Sequence, residues 1–225
     1  MRTAIGPLSR PQQEPSDLHE RLRPVGDEAL KTPRSTRPLE HWATAGLDPA
    51  VAAETARANL IGAGVCLPMV WLADALVVPV VRIERTVVSW RAEHRLGALL
   101  DRTWWRDRGD AGFVDVPPSA VKPLAFLTVG ELSRCRGALG RLRGTAPTIA
   151  VVPAGVTQDT VELARCDYYS IPVVEASTDG VKVVVTGDRH EHKASSRAEF
   201  HLRLRGEQLF DLAVRADAAG AQLLG

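Results

Sequence analysis

The sequence predicts an α/β protein with a parallel β-sheet in its second half, preceded by a small α+β region and a disordered N-terminal tail. Apolar runs that are rich in Val and bounded by Gly or Pro occupy residues 123–129, 148–153 and 181–186. Runs of this kind are typical of parallel strands that helices cover on both faces. The tail, residues 1–37, holds five prolines and shows no apolar periodicity, which is typical of disorder.

The overall composition is that of an ordinary globular protein, but its charge is unevenly distributed. The 225 residues are 45% hydrophobic and 24% charged, and the net charge of +1 implies no affinity for polyanions. Residues 82–143, however, hold twelve Lys or Arg against seven Asp or Glu, an excess of five positive charges. This local excess permits contact with nucleic acid, and a solvated Arg-rich surface is the alternative interpretation.

The small α+β region is predicted to cover residues 38–120 and to begin with a helical pair at 39–62. Asp48 is expected to cap the second helix of this pair, with Pro49 at its first position. Few side chains of that Ala-rich helix could reach nucleobases. The pair therefore resembles a helix-turn-helix only superficially, and reading of DNA by its second helix is the less favoured interpretation.

The apolar stretch 60–81 is predicted to form a β-hairpin rather than a membrane span. Gly and Pro residues interrupt this stretch, which separates into strands near 65–72 and 76–83 joined by a tight turn at Ala73–Asp74–Ala75. A further strand is expected at 86–91. No membrane is therefore expected among the partners of the protein.

A polar Trp/Arg loop is predicted at residues 92–112, followed by a short strand at 113–118. Paired tryptophans beside arginines can stack nucleobases, which favours contact with single-stranded DNA. The candidate nucleic-acid-binding residues are Arg102, Trp104, Trp105, Arg106 and Arg108. The alternative is that the two tryptophans anchor an irregular loop by packing against it.

The α/β domain is predicted at residues 121–216, with its last helix at about 193–209 and a C-terminal tail at 217–225. In open parallel sheets, ligands bind at the carboxyl ends of the strands. The residues expected at such positions are Gly130, Glu131, Gly155, Asp188 and Glu191.

The three cysteines, Cys66, Cys135 and Cys166, are odd in number and widely spaced. None belongs to a CxxC motif or to a Cys/His pair with zinc-ligand spacing. We expect Cys135 and Cys166 to pack in the core, and the odd, unpaired set favours a reducing compartment such as the cytoplasm. The N-terminus also lacks the charged and apolar pattern of a signal peptide.

Five segments follow one another in an informative order: GLDPAVAAETA, LPMVWLADALVVPVVRI, FVDVPPSAVKPLAFLTVGEL, AVVPAGV and VKVVVTGDRH. In this order and spacing they resemble primase-like proteins of actinobacterial phages and plasmids that carry a TOPRIM domain. The resemblance covers about residues 39–209. It implies a TOPRIM-like α/β domain in a protein that takes part in the DNA replication of a mobile element.

The resemblance also implies a magnesium site, which is degenerate in this sequence. In the family, a Glu-Gly turn supplies a general acid/base and an Asp-x-Asp motif holds Mg²⁺ beside the transferring phosphate. The Glu-Gly turn corresponds here to Val129–Gly130, so its Glu is missing. Asp188 matches the first Asp of the motif, whereas His190 replaces the second. The resemblance thus implies Asp188 and Glu191 as metal ligands and as catalytic residues, with Glu131 as a possible third.

Three functions remain open at this point. The first is a replication-associated protein that binds nucleic acid or a primase or helicase partner, with weak or absent catalysis. The second is a Mg²⁺-dependent nuclease of the restriction-endonuclease type, in which Asp115 and Glu131 would bind the metal, although Ser133 replaces the Lys of such sites. The third is a non-catalytic structural or interaction protein, since a fold does not fix a function.

Overall fold

The computed structural model describes residues 15–33, 39–110, 113, 115–187 and 196–224. Its helices are α1 (Pro15–Arg21), α2 (Glu40–Thr44), α3 (Pro49–Leu60), α4 (Arg85–Glu93), α5 (Arg102–Asp110), α6 (Leu132–Leu142), α7 (Thr160–Tyr168) and α8 (Ser196–Ala216). Its strands are β1 (Val65–Cys66), β2 (Val70–Leu72), β3 (Ala75–Ile83), β4 (Val121–Thr128), β5 (Thr148–Pro153), β6 (Val173–Ser177) and β7 (Gly180–Val185). A π-helical turn, Asp217–Ala221, follows α8.

The strands form one mixed sheet with a parallel centre. Their order is β1, β3, β4, β5, β6 and β7, and β2 also pairs with β3. The strands β4, β5 and β6 are parallel, whereas β3 runs antiparallel to β4 and β7 runs antiparallel to β6. The predicted α/β class is therefore confirmed, as is the parallel pairing of the segments 123–129 and 148–153.

Helices cover both faces of the sheet because successive strand residues point into two different apolar cores. Leu127 and Val151 belong to the core beneath α2 and α3. Their neighbours Phe126 and Val152 belong to the core beneath α4, α6, α7 and α8. The two helices that connect the parallel strands, α6 and α7, thus lie side by side on one face.

Two local predictions for the first half of the chain are confirmed. The carboxylate of Asp48 accepts a hydrogen bond of 2.7 Å from the N–H of Ala50, and Pro49 is the first residue of α3. Between β2 and β3, Ala73 and Asp74 have φ angles of 52° and 66°. Two consecutive left-handed residues are the conformation of the tight turn that matches the twist of a hairpin.

The prediction that 181–186 is a buried parallel neighbour of 148–153 is wrong. That segment lies in β7, which forms an antiparallel hairpin with β6 at the edge of the sheet. Thr178 and Asp179 form the hairpin turn between the paired Ser177 and Gly180, and Gly180 has a φ of 142°, a conformation that favours glycine. A run of valines does not reveal the direction of its strand, so the turn residues are the informative signal.

The sequence predicted a strand at 86–91, but this segment is part of the helix α4. Its β-branched residues favour a strand locally. Val88, Arg91 and Ala92 nevertheless have the helical spacing of i, i+3 and i+4, and all three are buried. Burial of this face outweighs the local preference.

The predicted Trp/Arg loop at 92–112 contains the helix α5 instead. Asp101 caps this helix, since its carboxylate accepts hydrogen bonds from the N–H groups of Thr103 and Trp104. The strand predicted at 113–118 is also wrong, because Phe113 has a left-handed φ of 56°.

The predicted disordered tail does not extend over residues 15–33. Leu22 and Leu30 are buried in the main core, where their apolar side chains leave water. The side chain of Gln208 in α8 donates a hydrogen bond of 2.6 Å to the carbonyl of Glu28. The remaining residues of that prediction, 1–14 and 34–37, lie outside the described residues.

The prediction of a C-terminal tail at 217–225 is wrong for the residues that the structure describes there. Leu224 is buried, and its N–H donates to the carboxylate of Asp217 at 2.9 Å. Asp217 also lies 3.0 Å from Nε2 of His19, which ties this end of the chain to α1.

The boundary predicted between residues 120 and 121 falls inside the sheet. β3 belongs to the predicted small region and β4 to the predicted α/β domain, yet the two strands pair along Val77–Ile83 and Val121–Thr128. Within the described ranges, no helix combines the length and the apolar character that crossing a membrane requires.

Candidate functional site

A groove lies between α6 and the end of α7, and we call it the α6–α7 groove. Its volume is about 650 Å³. Its lining consists of three arginines, three glycines and two residues beyond α7: Arg136, Arg141, Arg143, Gly137, Gly140, Gly144, Tyr169 and Ile171. The lining therefore carries three positive charges and no carboxylate.

The helix α6 is amphipathic, and this pattern determines which side chains reach the groove. Leu132, Cys135, Leu139 and Leu142 are buried at helical spacing. The opposite face carries the arginines and glycines. Because basic residues near the carboxyl end of a helix interact favourably with its dipole, Arg141 also stabilises the last turn.

Two glycines inside α6 make the floor of the groove bare. A Cβ atom added at Gly137 or Gly140 would meet no heavy atom within 4 Å. Glycine inside a helix costs about 0.5–1 kcal/mol relative to alanine. Packing within the described chain therefore gives no reason for either glycine, and both leave the helix backbone accessible from outside.

Each arginine of the groove has a polar contact within the chain. Arg141 Nη2 lies 3.0 Å from the carboxylate of Asp74, which is itself highly exposed. Arg143 Nη1 donates to the carbonyl of Tyr169 at 2.9 Å. Arg136 Nε lies 3.5 Å from Oε2 of the buried Glu162. Arg143 is thus anchored by a hydrogen bond, whereas Arg136 and Arg141 contact a buried and an exposed carboxylate, respectively.

Tyr169 lines the groove, and the consecutive Tyr168 lies beside it. Tyr168 is 82% exposed and Tyr169 is 50% exposed. Their rings are in edge-to-face contact with centroids 5.1 Å apart. The left-handed Ser170, with a φ of 52°, terminates the helix here and turns the chain into β6. Tyr168 is the last residue of α7, and Tyr169 is its C-cap.

A second, smaller cavity lies at the carboxyl end of β4, where the sequence predicted a site. This strand-end pocket has a volume of about 190 Å³ and is lined by Trp71, Asp74, Ala75, Leu76, Gly130, Glu131, Arg134 and Cys135. Glu131 is exposed and lies 3.0 Å from Arg134. The two acids of the pocket are therefore paired with Arg134 and Arg141 of α6.

His41 lies close to the strand-end pocket and was not anticipated from the sequence. Its Nε2 atom is buried and has no hydrogen-bond partner among the described residues. Burial lowers the pKa of its imidazole, against the opposing effects of the Glu131 charge and of Val129. The neighbouring Trp42 donates to the carbonyl of Val129 at 2.6 Å. Only the tertiary structure brings α2 to the end of β4.

Of the three residues expected at the magnesium site, Glu131 alone is among the residues that the structure describes. Asp188 and Glu191 lie outside them. The preceding Gly187 lies against Pro172, at the amino end of β6. Glu131 lies at the carboxyl end of β4, which is the opposite edge of the parallel strands. In addition, no group of three or more His, Cys, Asp or Glu that could hold a metal occurs in the part of the chain that the structure describes.

The carboxylate pair expected for a nuclease is not brought together either. Asp115 precedes β4 and Glu131 follows it. A strand of eight residues separates the two ends by roughly 25 Å, at about 3.3 Å per residue. A single metal ion could not contact both carboxylates across that length.

The predicted Trp/Arg cluster is only partly accessible. Trp105 is 1% exposed and donates a hydrogen bond of 2.7 Å to the carbonyl of Leu99, so its ring cannot stack on a base. The guanidinium of Arg108 lies over the ring of Trp104 at 5.4 Å. Arg102 and Arg106 are exposed. For Trp105, the alternative of a packed anchor is therefore the correct one.

Cys135 and Cys166 have the character of packing residues, as expected. Cys135 and Cys166 are buried, and all three thiols are free. Burial raises the pKa of Cys66 to about 12 and that of Cys166 to about 11, and it raises the pKa of Cys135 as well. Since the thiolate is the reactive form, these shifts disfavour nucleophilic chemistry.

The chain was also compared with protein-family models, curated proteins and solved structures. None of the three comparisons gives a match.

Proposed function

We propose that the protein binds nucleic acid through the α6–α7 groove and acts as a replication-associated, TOPRIM-like protein with weak or absent catalysis. The observation that carries the proposal is the lining of the groove, in which three arginines surround a bare helical floor. A replication protein such as a primase or helicase is a further partner that this function implies.

The arginines match the chemistry of a phosphate backbone. A guanidinium presents a planar set of donors that bonds phosphate oxygens in a bidentate manner. Arg141 and Arg143 are already oriented by Asp74 and by the carbonyl of Tyr169. Less conformational entropy is therefore lost when a phosphate binds than for a freely moving side chain.

The two glycines of α6, Gly137 and Gly140, support the same proposal because they leave room for a ligand. A side chain at position 137 or 140 would stand between a ligand and the helix. Without one, a sugar-phosphate chain can approach the backbone of α6 closely and reach the arginines on both sides. The cost of these two glycines in helix stability is compensated only when such a ligand binds.

Weak or absent catalysis is proposed because the described carboxylates Asp115 and Glu131 do not form one site. Asp115 and Glu131 lie at opposite ends of β4, and Glu131 and Asp74 are each paired with an arginine of α6. We derive no step through Mg²⁺ on these grounds. The direct check is a plasmid-nicking assay with Mg²⁺ or Mn²⁺, comparing the protein with Asp115→Ala and Asp188→Ala. Divalent-dependent nicking that disappears in Asp115→Ala would instead support the nuclease.

The proposal is tested by measuring the affinity for a labelled 20-nucleotide DNA at several salt concentrations. We expect Arg141→Gln and Arg143→Gln each to weaken binding. Each should also reduce the slope of log affinity against log salt concentration by about 0.7, the value for one lost phosphate contact on a single strand. Thermal melts establish that the variants remain folded.

The matched control is Arg106→Gln in α5, which removes the same charge from a side chain that is 70% exposed. We expect this variant to bind like the unchanged protein. Binding that is lost in Arg106→Gln but retained in Arg141→Gln and Arg143→Gln would move the interface to the Trp/Arg cluster and refute the proposal. Absence of any binding would refute it as well and leave a structural or interaction role.

A further inference from the structure

We infer that the α6–α7 groove selects single-stranded nucleic acid, with a base stacked on Tyr168 while the arginines hold the phosphates. This inference rests on the proposed function, because it assigns a ligand class and a positioning device to the same groove.

The exposure of Tyr168 is the first observation. At 82% exposure, most of its ring surface is open to water. The buried face of α7 is formed by other residues, Glu162 and Cys166. Tyr168 therefore contributes little to the core, and its open aromatic surface is available to a ligand.

The second observation is that Tyr169 links the ring of Tyr168 to the arginines of the groove. The edge-to-face contact with Tyr169 orients the Tyr168 ring. Tyr169 is in turn held on two sides, since the Arg136 guanidinium lies 5.7 Å from its ring centre and Arg143 bonds its carbonyl. The aromatic platform and the phosphate-binding groups thus form one connected structure.

This geometry distinguishes single strands from duplexes. In a duplex, both faces of each base are covered by stacking, so only the phosphates could engage the groove. In a single strand, a base can leave the stack and lie on an aromatic side chain, which stabilises binding whatever the base. We therefore expect little dependence on base sequence and a clear preference for single strands.

The experiment measures the affinities of the full chain for four probes: single-stranded (dT)12, (rU)12, a duplex of the same length and a 12-mer of abasic sugar-phosphate. We expect (dT)12 to bind at least about tenfold more tightly than the duplex and the abasic probe. Tyr168→Ala should lower the affinity for (dT)12 by about tenfold, as expected for the loss of one stacked base. Its affinity for the duplex and for the abasic probe should not change.

Two further variants separate stacking from structural effects. Tyr168→Phe keeps the ring and should retain the affinity for (dT)12. Trp90→Ala removes another exposed aromatic side chain, on α4, and should have no effect on any probe. Comparison of (dT)12 with (rU)12 then shows whether DNA or RNA is preferred.

The outcomes distinguish this inference from the proposed function. If single strands, duplex and abasic probe bind equally, and Tyr168→Ala changes nothing while Arg141→Gln weakens all of them, the inference is wrong and the proposed function stands. If Arg141→Gln and Arg143→Gln also change nothing, both are wrong. If Tyr168→Phe lowered the affinity for (dT)12 as much as Tyr168→Ala, stacking would be contradicted, because phenylalanine keeps the ring.

Discussion

Arg91 and Glu207 form a bidentate ion pair that is closed off from solvent, although 116 positions separate them in the chain. The two contacts measure 2.8 Å and 2.6 Å, and the side chains are 0% and 3% exposed. Arg91 also donates to the carbonyl of Pro118, and Glu207 accepts from the N–H of Leu99. The pair therefore joins α4, α8 and two irregular segments.

Removing one member of this pair should destabilise the protein strongly. For Glu207→Leu, which leaves the guanidinium of Arg91 buried without its counter-charge, we expect the free energy of unfolding to fall by about 3–5 kcal/mol. Arg91→Met combined with Glu207→Leu should cost less than Glu207→Leu alone, since no buried charge then remains unpaired. Chemical denaturation of the variants measures the difference.

The matched control for this prediction is the exposed contact between Arg106 and Asp107, whose atoms lie 3.8 Å apart. Arg106→Met should change the free energy of unfolding by less than about 1 kcal/mol, as is usual for exposed ion pairs. If Arg106→Met and Glu207→Leu lowered the free energy of unfolding equally, burial of the ion pair would not be what determines its contribution to stability.

The glycines of the groove should separate stability from binding. Gly137→Ala and Gly140→Ala are each expected to raise the free energy of unfolding by about 0.5–1 kcal/mol, because alanine favours the helix and its Cβ meets nothing. The same substitutions should weaken the binding of nucleic acid. Denaturant titration and fluorescence anisotropy on the same samples provide the two measurements.

Gly97→Ala is the control for the glycine substitutions. A Cβ at this position would overlap the carbonyl of Arg23, so this variant should be destabilised. If Gly137→Ala or Gly140→Ala were destabilised in the same way, an internal packing role would replace the proposed one.

Charge introduced into the sheet should be tolerated at its edge but not at its centre. Val151 in β5 is fully buried, and Val151→Asp should unfold the protein, because an unpaired buried charge costs several kcal/mol, roughly 3–5. Val183 in β7 is 41% exposed, and Val183→Asp should leave a cooperatively folded protein. Circular dichroism melts would contradict this topology if the two variants behaved alike.

Acidification should weaken the attachment of α1 to the C-terminal segment. Burial by itself would raise the pKa of the Asp217 carboxyl, but bonds from the Leu224 N–H and from His19 outweigh it, so the pKa is lowered. A group with a lowered folded pKa stabilises the fold above its unfolded pKa of about 4, and this contribution is lost as the pH falls through the folded value. Asp217→Asn should therefore be less stable than the unchanged protein at neutral pH.

The pH dependence of that difference is the test. Melting temperatures measured from pH 7 downwards should converge only once the pH falls below the lowered pKa of Asp217, because the unchanged protein then also carries a neutral side chain at that position. A difference in melting temperature that stays constant as the pH falls would mean that the charge of Asp217 contributes nothing to stability.

Local sequence signals determined the parts of this fold that depend on neighbouring residues. Asp48 and Pro49 mark the beginning of α3 because a cap and a first-turn proline act within four residues. The apolar runs at 123–129 and 148–153 indicate central strands, because a strand covered on both faces must be apolar throughout. The Gly and Pro residues that divide the apolar stretch 60–81 likewise indicated the hairpin turn at Ala73–Asp74–Ala75.

The tertiary structure decided everything that depends on distant partners. The helix at 85–93 forms despite its β-branched residues because its buried face includes Arg91, whose partner Glu207 lies far along the chain. Strand direction also decided the position of Glu131. Glu131 follows β4, whereas β7 runs antiparallel to β6, so the end of β7 lies at the opposite edge of the sheet from Glu131. The α6–α7 groove likewise joins Arg143 to Tyr169 across 26 positions. No local pattern encodes such a pairing, because the free energy that selects it comes from contacts that exist only when the whole sheet and both helices have assembled.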